Sequence, residues 1–186
     1  MSRTLSLLVL SFCVLGVAVP AHALSPGDTA CRKALAGGST KLASTVLKEQ
    51  QRCHKIRMSN ADPVNYPPSS DCNGVAALSP KAQAAVTKAE GKLAAAAQKK
   101  CEGIASLPAA LGFVSCGAPC QALPLDNTYA RVAACLSCQV RGLVSDLDAT
   151  IYGAPPDPPV QSEANAVVAC QGAIGGSAKK LAFTIM

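Results

Sequence analysis

The cysteines constrain this chain more than any other feature, because the rest of the sequence offers little from which to build a large core. The 186 residues include ten Cys but no Trp, three Tyr and three Phe. Much of the 49% hydrophobic content is Ala and Cys, which bury little apolar area per residue. A thin core of this kind usually needs crosslinks. We therefore expect one domain stabilised by disulfides, and the charged fraction of only 15% excludes a disordered chain.

The first 23 residues have the pattern of a secretory signal peptide. Arg3 precedes an apolar run from Leu5 to Val19, and a small-x-small triplet ends at Ala23. The run is about 15 residues long, whereas a bilayer span needs about 20. We predict cleavage after Ala23 and a secreted or periplasmic product without a transmembrane segment. Export would place the remaining cysteines in an oxidising compartment, where disulfides form.

Nine cysteines follow the predicted signal peptide. They are Cys31, Cys53, Cys72, Cys101, Cys116, Cys120, Cys135, Cys138 and Cys170. An odd number predicts four disulfides and one thiol without a partner. The positions of these cysteines relative to the predicted helices indicate which of them pair.

The first helix is predicted to begin at Ser25-Pro26-Gly27-Asp28 and to end near Met58. Apolar and cysteine positions recur along it at steps of three, four or seven residues, which is typical of one helix face. These positions are Cys31, Leu35, Gly38, Leu42, Val46, Cys53 and Ile56. The pair Gly37-Gly38 either weakens the helix by about 1 kcal/mol per glycine or marks a close crossing with another helix.

A second helix is predicted after the turn-rich residues 59–78. Ser79 and Pro80 have the residue types of an N-cap and a first helical residue, and the helix is expected to end at Gly103. Its apolar stripe consists of Val86, Leu93, Ala97 and Cys101. Two helices of similar length joined by one loop favour an antiparallel hairpin.

The hairpin predicts two disulfides, one at each of its ends. Antiparallel packing brings Cys31, at the start of the first helix, beside Cys101 at the end of the second. The same packing leaves Cys53 beside the loop that holds Cys72. A bond between Cys31 and Cys53 would contradict the hairpin, because a helix separates these residues by about 33 Å.

A third helix is predicted to start at Asp126 or Asn127, after an irregular stretch over residues 104–126. One side of it carries the apolar residues Val132, Leu136, Val140, Leu143, Leu147 and Ile151. Gly153 ends the helix, and the proline-rich residues 154–162 form a stiff linker. No alternating strand pattern of useful length is present. The sequence therefore predicts an all-α fold, with a disulfide-stapled antiparallel hairpin and a third helix in residues 24–153.

The last residues of the chain repeat the first helix. Residues 30–47 align without gaps with residues 169–186, and eight of the eighteen positions are identical. Cys170 corresponds to Cys31, but this partial repeat (residues 163–186) contains no counterpart of Cys101. We therefore expect Cys170 to be the unpaired cysteine. We also expect the segment to dock within one molecule and bury Cys170, which favours a monomer; the alternative is a homodimer through Cys170.

Four short segments frame the helices with cysteines: CRKA, CQGAI, KLAAAAQKKC and CLSC, the last leading to IYG. In these segments the chain resembles uncharacterised secreted helical repeat proteins of bacteria. The resemblance covers nearly the whole mature chain and implies an architecture but no activity. A hairpin with two disulfides is also similar in architecture to the coiled-coil-helix-coiled-coil-helix proteins, although their twin nine-residue cysteine spacing is absent here.

Four central cysteines have a spacing close to that of a zinc site. Cys116 and Cys120 form one pair, Cys135 and Cys138 the other, and 14 residues separate the pairs. An oxidising compartment favours two nested disulfides instead, Cys116 with Cys138 and Cys120 with Cys135, although spacing alone does not fix the pairing. A zinc or thiol-redox protein is the alternative. A redox CxxC pair usually lies at a helix N-terminus, whereas this one is predicted inside a helix.

No residue combination indicates catalysis. His54 is the only histidine after the predicted signal peptide, and it neighbours Cys53. Adjacent helical residues point about 100° apart, so these two would not form a nucleophile and base pair. We expect His54 to be a solvated histidine near the end of the helix. Nucleophile-elbow, phosphate-loop and carboxylate-cluster motifs are absent, and we predict neither an enzyme nor a cofactor.

Charge is concentrated in the hairpin. Residues 31–102 contain 12 basic and 5 acidic residues, a net charge of +7, whereas residues 103–186 have a net charge of −1. The candidate anion-binding residues are Arg32, Lys33, Lys41, Lys48, Arg52, Lys88, Lys92, Lys99 and Lys100.

The sequence therefore favours an exported, disulfide-stabilised structural or interaction module. The alternative function is binding of anionic surface material, such as lipid head groups or cell-wall polymers, through the basic hairpin. The partner would be an anionic surface or another exported protein. Because aromatic residues do not alternate with these cations, we do not expect specific nucleic-acid recognition.

Overall fold

The computed structural model describes residues 24–59, 61–67, 70–153 and 169–177. The predicted signal peptide, the predicted linker over 154–162 and residues 178–186 of the repeat lie outside the described residues. Within them all regular structure is helical, which confirms the predicted all-α class. The elements are α1 (Pro26–Ser59), a 3₁₀ turn (Val75–Ala77), α2 (Pro80–Cys101), a second 3₁₀ turn (Pro108–Leu111), α3 (Tyr129–Tyr152) and a helical segment over residues 169–177.

The first turn of α1 is fixed by a reciprocal cap. Ser25 N–H donates to Asp28 Oδ2, and Asp28 N–H donates to Ser25 Oγ, each at 3.1 Å. Such a cap satisfies backbone groups that the start of a helix leaves without partners. Hydrogen bonds, first from Ser25 and then from Ser106, lower the pKa of Asp28. From this cap α1 runs for 34 residues, and its end agrees with the predicted end near Met58.

α1 and α2 form an antiparallel hairpin with a disulfide towards each end. Cys31 bonds to Cys101, and Cys53 bonds to Cys72, which are the two pairs that the sequence predicts. The helices approach closely at Gly38, where an added Cβ atom would lie 2.6 Å from Leu93 Cδ1. At the neighbouring Gly37 an added Cβ would meet no atom within 4 Å. Of the two glycines, only Gly38 is needed for the close crossing.

The hydrophobic core is small and is shared by the three long helices. Its most deeply buried aliphatic side chains are Leu35, Leu42, Val46, Leu47, Val86, Leu93 and Val132. Several alanines fill the space between them. Full burial of one such Val or Leu contributes roughly 1.5–3 kcal/mol. The disulfide between Cys31 and Cys101 belongs to the same cluster and crosslinks this thin core.

α3 begins at Tyr129, slightly later than predicted. Thr128 is its N-cap, and Thr128 Oγ1 accepts a hydrogen bond from Arg131 N–H at 3.3 Å. The predicted apolar side of α3 is wrong at Leu143, which is 62% exposed. The neighbouring Val144 takes the inward position, about 100° further around the helix, and Asp148 follows it one turn later. No helix in the described part of the chain is both long and apolar enough to cross a membrane.

The nested pairing predicted for the central cysteines is wrong. Cys116 bonds to Cys135, and Cys120 bonds to Cys138. The segment that contains Cys116 and Cys120 therefore runs along α3 in the same direction as the helix, so that the first cysteine of each pair meets the first of the other. A nested pairing would require the opposite direction. All four sulfurs are in disulfides, so none of them is a thiolate ligand for zinc in this structure, and Cys135 and Cys138 of the CxxC motif do not pair with each other.

Candidate anion-binding groove and a buried polar cluster

α1 and α2 enclose a surface groove of about 840 Å³ on the side of the hairpin that carries its lysines. Six lysines line it: Lys33, Lys41, Lys88, Lys92, Lys99 and Lys100. All six side chains are exposed, and no carboxylate is among the described residues that line the groove. We call this region the lysine groove. It contains six of the nine candidate anion-binding residues that the sequence predicts.

The floor of the lysine groove consists of small residues. The two helices contribute Ala34, Gly37, Gly38, Ala85, Ala89 and Ala96 to it, and Ser44 and Thr45 add hydroxyl groups. Because the helices cross closely at Gly38 and these side chains are small, the floor lies deep between the lysine side chains of the two helices. Because Lys88, Lys92 and Lys99 follow one another at steps of four and seven residues, α2 presents them along one face.

The lysines of the groove are not neutralised by carboxylates of the described part of the chain. The ion pairs there join Arg131 to Asp126 and Arg141 to Glu90, besides a buried pair made by His54. Glu90 is the acidic residue of α2, and its Oε1 lies 3.4 Å from Arg141 Nε on the α3 side. The positive charge of the groove therefore remains available to an external anion.

The other three candidate residues lie outside this groove. Lys48 and Arg52 line a second basic pocket of about 720 Å³, further along α1. Lys55, which is not among the nine predicted residues, lines the same pocket. Arg32 lines neither. Lys48, Arg52 and Lys55 are four and three residues apart, which places them on one helix face. This spacing could have identified Lys55 from the sequence.

His54 is buried, and the prediction of a solvated histidine is wrong. Only 1% of it is exposed, because α1 continues past it and α3 and the loop around Asn73 cover it. Its ring stacks on Tyr152 at a centroid distance of 4.0 Å and an interplanar angle of 7°. Arg57 Nη2 faces His54 Nδ1 at 3.4 Å, and since a guanidinium can only donate, Nδ1 accepts there.

Polar groups from three parts of the chain meet at His54. His54 Nε2–H donates to Asn73 Oδ1 at 2.8 Å, and Asn73 Nδ2 donates to Gly153 O at 2.8 Å. Ser145 Oγ donates to Asn73 O at 2.6 Å, and Gln50 Nε2 donates to the same oxygen. We call these groups, together with Asp148 and Tyr152, the polar cluster. It joins α1 and α3 to the loop that carries the Cys53 to Cys72 disulfide.

Asp148 is the least compensated member of the polar cluster. It is fully buried, and Asp148 Oδ2 lies 3.1 Å from His54 Nε2, whose N–H points more directly at Asn73. Neither carboxylate oxygen has an aligned hydrogen-bond donor within the described residues. Burial raises the pKa of Asp148, although His54 opposes this shift. Burial and the Asp148 charge also raise the pKa of Tyr152 to about 12.

The centre of the polar cluster is closed to solvent, whereas Tyr152 at its edge also lines the second basic pocket. The side chains of His54 and Asp148 are 2% and 0% exposed. The cluster is not apparent from the sequence because Asn73 and Asp148 are separated by 75 residues and become neighbours only through the tertiary fold. The one local signal is a carboxylate next to Leu147 of the predicted apolar stripe.

Residues 169–177, which belong to the predicted repeat and which we call the C-terminal segment, pack against α1 and α3. Gly175 is buried there: an added Cβ would lie 2.8 Å from Gln51 Nε2 and 2.9 Å from Tyr152 Oη. Cys170 has no disulfide partner but is exposed, so the prediction that docking buries it is wrong. Cys170 is five residues from Gly175, about 140° around the helix, and therefore points away from the contact. Ile174 is also half exposed.

No protein-family model, no curated protein and no solved structure matches this chain. The lysine groove and the polar cluster therefore have to be interpreted from their own chemistry.

Proposed function

We propose that the protein is an exported helical interaction module that binds a linear anionic polymer in the lysine groove. The observation that carries this proposal is the set of six exposed lysines around one concave surface without a lining carboxylate. Lysine is a flexible point charge that attracts carboxylate and phosphate groups alike. The proposed ligand is therefore defined by repeated negative charge on an extended chain, and polyuronates and polyphosphates are its two chemical sources.

The lining of the groove favours a polymer over a membrane surface. Interfacial helices insert large apolar side chains between the head groups, whereas this groove is lined by Lys, Ala, Gly, Ser and Thr. Its concave form also suits a chain better than a plane. Aromatic side chains for stacking on bases are absent from the lining residues, which disfavours single-stranded nucleic acid.

The disulfides support this role by fixing the distance between the two walls of the groove. Cys31 and Cys101 join α1 and α2 directly, with a Cα–Cα distance of 4.8 Å. A preformed binding surface loses less conformational entropy when a ligand binds. Four disulfides are also typical of a protein in an oxidising compartment, which supports export. We propose binding without catalysis, since the buried His54 and Asp148 are closed to solvent.

The experiment is a fluorescence anisotropy titration of a labelled polyuronate with three proteins. The groove variant is Lys88→Gln/Lys92→Gln. The matched control is Arg32→Gln/Arg131→Gln, which removes the same charge from positions that do not line the groove. Near a polyanionic surface each cation contributes about 1 kcal/mol, so the groove variant should bind tenfold or more weakly. The control should bind within about twofold of the wild type.

Two results would contradict the proposal. Equal losses in the groove variant and the matched control would mean that net charge alone drives binding. Retention on vesicles of anionic lipid that exceeds binding to both a polyuronate and a polyphosphate would assign the surface to a membrane instead. A parallel titration with labelled polyphosphate distinguishes the two chemical sources, because the better ligand identifies the anionic group.

A further inference from the structure

The positive face of α1 does not end with the lysine groove. Lys33, Lys41, Lys48, Arg52 and Lys55 are all exposed and follow one another at steps of eight, seven, four and three residues. At 3.6 residues per turn these steps keep the five side chains on one side of the helix. Lys33 and Lys55 are 22 positions apart, which is about 33 Å along the axis. The row is about twice as long as the part of α2 that carries Lys88 to Lys99.

The second half of this row has a wall of its own. Lys48, Arg52 and Lys55 line the second basic pocket, and Tyr152 of α3 together with Ala169 and Gly172 of the C-terminal segment forms its opposite side. Ala169 and Gly172 face the cations here as small residues do in the lysine groove, and Tyr152 adds an aromatic ring beside them. The contact that seats the C-terminal segment is the buried Gly175 against Gln51 and Tyr152.

We infer that the lysine groove and the second basic pocket form one continuous binding track for an extended polyanion about 33 Å long. The inference rests on the proposed function and extends it. α2 walls the first half of the track, and the C-terminal segment walls the second half. The occupant is a polyuronate or polyphosphate chain long enough to contact Lys33 and Lys99 at one end and Arg52 and Lys55 at the other, passing Lys88 and Lys92 on the way.

The test compares two labelled polyuronate oligomers, one of about 17 Å extended length and one of about 35 Å, which match half of the track and the whole track. The variants are Lys88→Gln/Lys92→Gln in the groove, Arg52→Gln/Lys55→Gln in the second pocket, and the matched control Arg32→Gln/Arg131→Gln. The wild type should bind the long oligomer at least tenfold more tightly than the short one. Arg52→Gln/Lys55→Gln should remove this gain and leave the affinity for the short oligomer within about twofold.

The outcomes separate the two proposals. If the long oligomer gains nothing over the short one, or keeps its gain in Arg52→Gln/Lys55→Gln, the continuous track is overturned while the lysine groove stands. If that variant weakens both oligomers equally, the two basic regions are separate sites and the track is again overturned. If Lys88→Gln/Lys92→Gln affects neither oligomer, the proposed function fails and the track fails with it.

The C-terminal wall has its own pair of variants. Gly175→Val would introduce a side chain against Gln51 and Tyr152 and displace the segment, whereas an added Cβ at Gly176 meets no atom within 4 Å. Gly176→Val therefore controls for the effect of a β-branched residue in the segment. Gly175→Val should lose the gain in affinity for the long oligomer, and Gly176→Val should keep it. An unchanged gain in Gly175→Val would contradict the role of the C-terminal segment as a wall.

Discussion

The lysine groove and the polar cluster lie on different faces of the same helix and use charge in opposite ways. In the groove, α1 and α2 present six exposed lysines without a lining carboxylate. In the polar cluster, His54 of α1 meets Asp148 of α3 in a space closed to water. The lysines of the groove are open to solvent, and no carboxylate lines the groove with them. His54 and Asp148 lie beside each other and are closed to solvent.

This difference indicates which region binds and which region stabilises. Exposed lysines contribute little to folding, because water and salt screen them, and so their charges remain available to a ligand. Buried polar groups must be satisfied inside the protein, and removing one partner is costly. We therefore expect substitutions in the groove to change binding with little effect on stability. We expect substitutions in the cluster to do the reverse.

The largest expected effect concerns the two disulfides of the hairpin. Cys31–Cys101 lies beside the lysine groove, and Cys53–Cys72 lies beside the polar cluster. In the chain-entropy relation, a bond across 70 residues contributes about 4 kcal/mol and one across 19 residues about 3 kcal/mol. Cys31→Ser/Cys101→Ser should therefore lower the free energy of unfolding more than Cys53→Ser/Cys72→Ser, as measured by urea denaturation. Only the first variant loosens the walls of the lysine groove and should also weaken polyanion binding. Equal loss of binding in both variants would contradict this difference between the lysine groove and the polar cluster.

The second effect concerns His54. His54→Ala would leave Asn73 Oδ1 without its donor and Asp148 without its nearest nitrogen neighbour, and it would open a cavity against Tyr152. An unsatisfied buried acceptor together with a new cavity predicts a destabilisation of about 3 kcal/mol, measured by urea denaturation. Binding of the short polyuronate oligomer to the lysine groove should stay within about twofold of the wild type, because neither His54 nor Tyr152 lines that groove. Retained stability together with lost binding would assign the cluster to the binding site.

The third effect uses the two adjacent glycines in the floor of the groove. Gly37→Ala meets no atom and should stabilise α1 by about 1 kcal/mol, because Ala favours the helix. Gly38→Ala places its Cβ against the buried Leu93 and should destabilise the hairpin by about 1 kcal/mol. Thermal unfolding of the two variants measures the difference. Equal effects would mean that the close crossing does not hold the walls of the groove.

The smallest effect is a pH dependence that arises from Asp148. Because burial raises its pKa above the usual 3.8, the unfolded chain releases this proton at a lower pH than the folded protein. The stability that protonated Asp148 contributes is therefore present below about pH 4 and is lost as the pH rises through the folded pKa. Relative to Asp148→Asn, the wild type should lose stability as the pH rises over this range. Urea denaturation between pH 3 and pH 7 measures this difference, and parallel curves for the two proteins would contradict it.

The hairpin was predictable from the sequence because its signals are local. The Ser25 start, the Ser79-Pro80 start and the positions of the cysteines at helix ends fix both the helices and the pairing of Cys31 with Cys101. The central disulfides were not predictable in the same way, since their pairing depends on the direction in which an irregular segment runs along α3. Nothing in the spacing of Cys116 and Cys120 records that direction.

From the sequence, the candidate site was predictable only as an excess of basic residues in the hairpin. The charge imbalance identifies the hairpin as basic, and the helix periodicity places Lys88 and Lys92 on one face. Helix periodicity alone does not show that Arg32 lies outside the groove, because the position of Arg32 relative to the groove depends on which face of α1 meets α2. The burial of His54 depends on Asn73 and Asp148, which are distant in the chain, and a histidine near a helix end carries no local signal of it.

The most direct test of the lysine groove as a polyanion site is the salt dependence of binding. The affinity for a labelled polyuronate, measured between about 50 and 200 mM salt, should fall linearly on a double logarithmic plot as bound counterions are released. Lys88→Gln/Lys92→Gln should make the slope shallower by about one for each lysine removed, and Arg32→Gln/Arg131→Gln should keep the slope of the wild type. A groove variant with the slope of the wild type would contradict the account.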